Sequence, residues 1–263
     1  MYFFRPLGAI LAHTARSVGL TPTHLTIAGG AIGVAGGALL YDARLGLLAF
    51  ALLILHGIVD SSDGQLARLT GHSTELGRLL DGLSGYATHA AVYTAIVAGV
   101  IRDGGSPLIM LWAALAVFAN VAQAQMYDYH RTSYATMAIN GIAPRGADLP
   151  VGPAWAGWLM RPYQWLQRRL IGLHGDVEAA IAARSHQETV SDADRSRYRR
   201  VFYWPVRGWN VLGDNTRFYA LGLLAWTHHL EWFFAFVLVP MNIALAALWL
   251  WQRRADRRFL SRT

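Results

Sequence analysis

Residues Leu45–Arg68 read LGLLAFALLILHGIVDSSDGQLAR, with no Asp, Glu, Lys or Arg before Asp60. An apolar run of this length, wound as a helix, reaches across the roughly 30 Å hydrocarbon layer of a bilayer. The carboxylates Asp60 and Asp63 at its far end are the anomaly, because charge beside hydrocarbon is costly and is kept where it serves a purpose.

Working outward from this run, five more stretches have similar character. They lie near Leu25–Tyr41, Leu76–Ile101, Leu108–Met126, Trp209–Thr227 and Leu230–Trp251. The reading is therefore an all-α integral membrane protein of six transmembrane helices. The composition agrees, with 54% hydrophobic and only 15% charged residues among 263. A water-soluble globule, a disordered chain and a disulfide scaffold are excluded, the last because cysteine is absent. Met1–Gly19 is broken by Arg5, His13 and Arg16 and lacks a cleavage pattern, so it reads as an N-terminal amphipathic juxtamembrane helix over residues 1–19.

All 23 basic residues are arginine, and the formal charge is +7. In a soluble protein that excess would suggest nucleic acid; here its location suggests anionic membrane lipids, with no nucleic acid expected. The breaks after the first and third spans hold only Arg44 and Arg102, whereas Arg5, Arg16, the segment after Met126 and Arg253–Arg262 fall on the other face. By the positive-inside rule both termini are cytoplasmic, and an even number of spans agrees. The chain is expected to be one membrane domain, 1–263, with a cytoplasmic or interfacial insert over 127–208. Within the insert, Trp155–Leu170 has helical spacing suited to the headgroup layer or to packing on the protein, and Val177–Arg184 reads as a short helix. The run Arg195, Arg197, Arg199 and Arg200 is expected to meet lipid headgroups.

Asp60 and Asp63 share a helical face with Gly64 and Ala67, and Asp81 begins the next span after a short break. The two helices become antiparallel neighbours, so the three carboxylates converge. Three ionised carboxylates in a partly dry place require protons, arginine partners or a cation. Oxygen-only donors favour a hard ion, Mg2+ or Mn2+, and such ions complete their shells with water and phosphate. Two ions could clamp the attacking and leaving oxygens of a phosphoryl transfer. The small residues Gly64, Ala67 and Gly77 would let a nucleotide approach the backbone; the plainer reading of small residues is helix packing.

Together these positions resemble the CDP-alcohol phosphotransferases, whose signature is D-x2-D-G-x2-A-R-x8-G-x3-D-x3-D. Asp60, Asp63, Gly64, Ala67, Arg68, Gly77 and Asp81 fall on it in register. The stretch Leu20–Thr26 (LTPTHLT), the N-terminal helix and the span count are also similar to that family. The resemblance implies transfer of a substituted phosphate from a CDP-linked alcohol to an acceptor hydroxyl or phosphate, with CMP released, in membrane-lipid biosynthesis. It implies a metal pair on Asp60, Asp63 and Asp81, nucleotide contacts from Gly64, Ala67, Arg68 and Gly77, and a possible homodimer. The lipid could be donor or acceptor, and the site would face the cytoplasm of a bacterial plasma membrane. Arg68 reads either as a phosphate contact or as a snorkelling arginine.

The pattern breaks at Gly85, where the family carries a fourth aspartate taken to be the general base. His89, one turn further, is a candidate base. Alternatives are an acceptor that arrives already anionic, a slow enzyme, a CDP-alcohol hydrolase, or a relative that binds without transfer. Arg78, Arg131 and Arg217 at span ends are candidate contacts to an acceptor or headgroup, or simple interfacial anchors.

Overall fold

Thr21 starts the first long helix. Its Oγ1 accepts from the His24 amide, His24 Nδ1 accepts from the Thr21 amide, each at 3.3 Å, and Pro22 occupies the first turn, where an amide has no helical partner. The computed structural model describes residues 4–71, 74–144, 169–185 and 188–261, together with the backbone alone at Arg78, and every regular element among them is helical. In chain order these are α1 (Phe4–Ser17), α2 (Pro22–Leu39), α3 (Gly46–Thr70), α4 (Glu75–Arg102) and α5 (Ile109–Tyr134). A π-helical turn over Ala135–Asn140 follows, then α6 (His174–Arg184), α7 (Asp192–Trp209), α8 (Asp214–Trp226), α9 (Phe233–Leu238) and α10 (Pro240–Leu260). The all-α class thus holds for the described residues, and α6 covers the expected short helix.

Among the described residues, four stretches are long and apolar enough to cross a membrane: Ala43–Thr70, Glu75–Arg102, Ile109–Asn140 and Leu230–Leu260. The first and fifth expected spans do not reach that standard. In α2, five of 18 residues are glycine, which lowers its apolarity. With 13 residues, α8 measures about 20 Å, short of a bilayer core. The expected headgroup-layer helix at Trp155–Leu170 lies mostly outside the described residues.

Two compact units make up the chain, Met1–Leu115 with Arg217–Phe236, and Ala116–Thr216 with Val237–Thr263. In the first, α2 is a wedge of small residues between α3 and α4. A Cβ on Gly33 would lie 2.8 Å from His56 Nδ1 on α3 and 2.2 Å from Thr88 Oγ1 on α4; one on Gly37 would lie 2.8 Å from the Val92 backbone nitrogen. Up α2, from Gly29 through Gly33 to Gly36, the facing residues on α3 descend from Val59 through His56 to Leu52, while those on α4 ascend from Ser84 to Val92. Hence α3 runs antiparallel to α2 and α4 runs parallel to it. The α1 helix buries Phe4, Gly8, Ala12 and Ala15, a stripe at helical spacing. Gly8 sits against Ser61 and Gln65 of α3, and Gln65 Nε2 donates to the Arg5 carbonyl at 3.2 Å. An amphipathic helix is present, then, and its small-residue stripe is spent on α3.

The second unit combines an apolar core, including Met137, Ile181, Phe202 and Phe259, with a buried polar chain. Asp256 Oδ1 and His174 Nδ1 are 2.8 Å apart, His174 Nε2 and Tyr198 Oη 3.0 Å, and Trp209 Nε1 donates to Gln252 Oε1 at 3.2 Å. His130, 1% exposed, stacks on Trp209 with ring centroids 4.6 Å apart. Three members of the arginine run have an internal use here. Arg195 and Arg199 donate to the Ala138 carbonyl at 2.9 and 2.8 Å, and Arg197 donates to the Phe259 carbonyl. Helix ends leave carbonyls without amide partners, and guanidinium donors satisfy them while complementing the dipole.

Candidate active site

The site lies in the first unit, where the second half of α3 and the start of α4 flank the first turns of α2. Gly71, with φ of 69°, ends α3 in the left-handed conformation that glycine adopts without strain. Thr74 opens α4, its Oγ1 accepting from the Gly77 amide at 3.0 Å. Gly77, expected at the nucleotide, therefore already serves the helix cap. The register along α2 carries Asp63 and Asp81 to the level of Thr26 from opposite sides.

Asp63 is 7% exposed, and its Oδ2 accepts from Thr26 Oγ1 at 2.6 Å. Asp60 and Asp81 are exposed and lie close to one another, and Asp81 is also an electrostatic neighbour of Asp63 and of His56. Asp63 and Asp81 thus come within electrostatic range of one another across α2, which lies between α3 and α4 instead of leaving them direct neighbours.

The donor chemistry fits a hard divalent cation, being all carboxylate oxygen with no sulfur. Among the described residues, however, no three His, Asp or Glu side chains stand close enough to enclose a metal ion. Asp60 and Asp81, being exposed, have room to turn toward one.

Around the carboxylates the backbone is open. A Cβ on Gly64 would meet only Arg68 Nη1, at an ordinary 3.5 Å, and one on Gly82 or Gly85 would meet no atom within 4 Å. Arg68 is exposed, with its guanidinium beside Gly64 and within electrostatic range of Asp63, and Ala67 is half-buried next to it. This is the side-chain-poor surface that a bulky phosphate ester needs.

The candidate base His89 is half-buried. Its Nδ1 donates to its own helix at the Gly85 carbonyl, 2.9 Å away, and its ring lies over Phe218 at 6.4 Å. Arg217, a candidate contact to an acceptor or headgroup or an interfacial anchor, is 1% exposed inside the unit, on the first turn of α8. Arg131 belongs to the second unit, exposed and paired with Tyr127, whose Oη accepts from its Nη1 at 3.4 Å. The Arg78 side chain lies outside the described residues.

Two residues escaped the sequence reading. His56 is buried one turn before Asp60, and its Nδ1 donates to the Gly29 carbonyl at 2.9 Å. Thr26 reaches Asp63 from a helix 37 positions away. His56 had a signal, since 56, 60 and 63 share one helical face; Thr26 had only its place in LTPTHLT.

Comparison with known proteins gives one match. The family described as CDP-alcohol phosphatidyltransferase fits residues 19–144, which contain all of the motif positions. No curated protein and no solved structure matches the chain.

Proposed function

From the premise that the chain belongs, through residues 19–144, to the CDP-alcohol phosphatidyltransferase family, we propose that it moves a substituted phosphate from a CDP-alcohol to an acceptor hydroxyl or phosphate and releases CMP. The supporting observation is that Asp81 lies near both Asp60 and Asp63, beside the open backbone at Gly64, Gly82 and Gly85. Family membership supports phosphatidyl transfer in lipid synthesis and, in general, use of a divalent metal. Metal binding at these three residues, the identity of the ions and the cytoplasmic orientation belong to this proposal.

In this reading the acceptor oxygen attacks the phosphorus that carries the alcohol, and the bond from that phosphorus to the CMP oxygen breaks. Asp60, Asp63 and Asp81 would hold Mg2+ or Mn2+, which when bound supplies neutralisation of the diphosphate charge. Arg68 offers planar donors to phosphate oxygens beside Gly64. Hydrocarbon around α3 and α4 orients a lipid-bearing substrate with its phosphate at the helix ends.

A second reading has its own observation. Position 85 offers no carboxylate, because glycine stands there. A relative that binds CDP-alcohol without transfer, or one that passes the phosphate to water, is consistent with that.

Purified protein mixed with Mg2+ or Mn2+, a panel of CDP-alcohols including CDP-diacylglycerol, and hydroxyl or phosphorylated acceptors is expected to release CMP only when donor and acceptor are both present. Asp81→Asn should lower the rate at least about 100-fold. Release without acceptor identifies a hydrolase. Donor binding with no release across the panel overturns transfer.

A further inference from the structure

Between Arg195 and Gly213 the chain holds no Asp or Glu, so beyond its first turn the charge of α7 is all positive. Arg195, Arg197 and Arg199 aim donors inward at backbone carbonyls. Arg200 and Arg207 instead lie on an exposed stripe with Ser196, Tyr203 and Trp204, at the spacing of one helical face. The opposite face buries Tyr198, Phe202, Pro205 and Trp209. Trp204 is 63% exposed and Tyr203 41%. Arg207 lies over both rings, its Cζ 4.7 Å from the Tyr203 centroid and 5.8 Å from that of Trp204, and it donates to the Tyr203 hydroxyl.

The neighbouring helix sets the level of this stripe. From Trp232 to Gln252 there is no charged residue, and Arg253, Arg254, Arg257 and Arg258 then follow. A hydrocarbon layer around α10 therefore ends near the exposed Trp251. Gly208 of α7 packs at that point: a Cβ on it would lie 2.8 Å from Leu248 Cδ2 and 2.9 Å from Trp251 Cζ3. At the other end of α7, Arg197 donates to the Phe259 carbonyl, so the two helices are antiparallel. With a rise of about 1.5 Å per residue, Arg207 stands at the hydrocarbon boundary, Tyr203 and Trp204 about 6–8 Å beyond it and Arg200 about 12 Å. The headgroup layer is about 5–8 Å deep on each side, and a long arginine side chain spans the remainder.

Tyr and Trp favour the layer where one end of the ring is apolar and the other wet, and guanidinium groups match phosphate oxygens in a plane. An acidic protein would suit the arginines, but it gives no reason for two exposed aromatic rings at the level where hydrocarbon stops. We infer that the outer face of α7 is an anionic phospholipid site, Tyr203 and Trp204 seating in the headgroup layer while Arg200 and Arg207 take the lipid phosphate. The surface belongs to the second unit and stands independently of the proposed transfer reaction.

Because the chain has no cysteine, Ser196→Cys provides a single thiol on the same stripe, one turn from Arg200. The full-length protein, carrying a fluorophore there, is reconstituted in phosphatidylcholine bilayers doped with nitroxide-labelled phosphatidylglycerol or, at equal fraction, phosphatidylcholine with the same nitroxide. Phosphatidylglycerol is expected to quench at an at least about 5-fold lower fraction, a preference that shrinks in high salt. Arg200→Gln with Arg207→Gln should bring the two lipids within about 2-fold of one another, whereas Arg200→Lys with Arg207→Lys should keep most of the preference. If the double Gln variant fails to fold, Arg200→Gln alone, which spares the Arg207–Tyr203 contact, should lower the preference about 2–5-fold.

An equal preference before and after the Gln substitutions overturns the inference. So does a Lys variant that loses it as fully as the Gln variant, which would assign the arginines to packing on Tyr203 and Trp204. Quenching by neither lipid overturns it as well, since α7 would then stand clear of the headgroups.

Discussion

Asp63 and Tyr198 are both buried oxygen acids, each beside a specific partner, and they illustrate two uses of such a group. Asp63 sits at the rim of a site with Thr26 donating to it, next to carboxylates that stay exposed. Tyr198 is sealed in the second unit with His174 at 3.0 Å, and burial, followed by the nearby Glu178 carboxylate, pushes its phenol well above the ordinary tyrosine value. A phenol raised in this way stays protonated in the folded chain while the unfolded chain releases its proton near pH 10. The unfolded state then binds fewer protons, so stability falls as pH rises past about 10, by up to about 1.4 kcal/mol per pH unit, and is unaffected below about pH 9. Tyr198→Phe should lose about 1 kcal/mol at neutral pH from the missing hydrogen bond. It should also show a shallower fall between pH 10 and 11, read as hydrogen exchange of α6 and α7. Identical slopes in variant and wild type would refute the assignment of that dependence to Tyr198.

Helix α2 carries no motif aspartate, yet its glycines set how closely α3 and α4 approach it and, with them, the level of the carboxylates. Gly33 and Gly85 make the contrast measurable, as both lie inside helices. Adding a methyl at Gly85 meets no atom, so Gly85→Ala should stabilise the fold by about 0.5–1 kcal/mol through the lower entropy cost of alanine. Adding one at Gly33 strikes Thr88 and His56, so Gly33→Ala should destabilise by about 1–3 kcal/mol. Thermal unfolding in detergent reads both, and a stabilising Gly33→Ala would mean that the helices do not pack as described. The sequence made much of this legible. Long apolar runs announced α3, α4, α5 and the Leu230–Leu260 stretch, and helical spacing put Asp60 and Asp63 on one face, because both follow from periodicity alone; the level of Asp81 depends on the register of α4 against α2, which periodicity does not give. Arg195, Arg197 and Arg199 were not legible: which carbonyls lack amide partners depends on where the π turn and α10 stop, a tertiary matter. The Thr26 contact was hidden for the same reason, as it depends on the register between two helices.

At the scale of the molecule, the question that decides function is which side of the bilayer the carboxylates face. Within the first unit, Thr26, Asp63 and Asp81 lie at the end of the bundle where α1 joins α2, and Ser106 follows the opposite end of α4. The proposed orientation puts the α1 end in the cytoplasm, where a water-soluble nucleotide product such as CMP would be released. The absence of cysteine makes this directly testable, since any introduced thiol is the only one in the chain. Ser17 and Ser106 are both exposed, so Ser17→Cys and Ser106→Cys should be tolerated. In intact cells a membrane-impermeant maleimide is expected to label Ser106→Cys at once, and Ser17→Cys only after permeabilisation. The reverse pattern would put the carboxylates on the outer face, away from cytoplasmic CDP-alcohols, and would remove the proposed transfer from its substrate supply. Labelling of both without permeabilisation would mean that α2, α3 and α4 do not cross the membrane in succession.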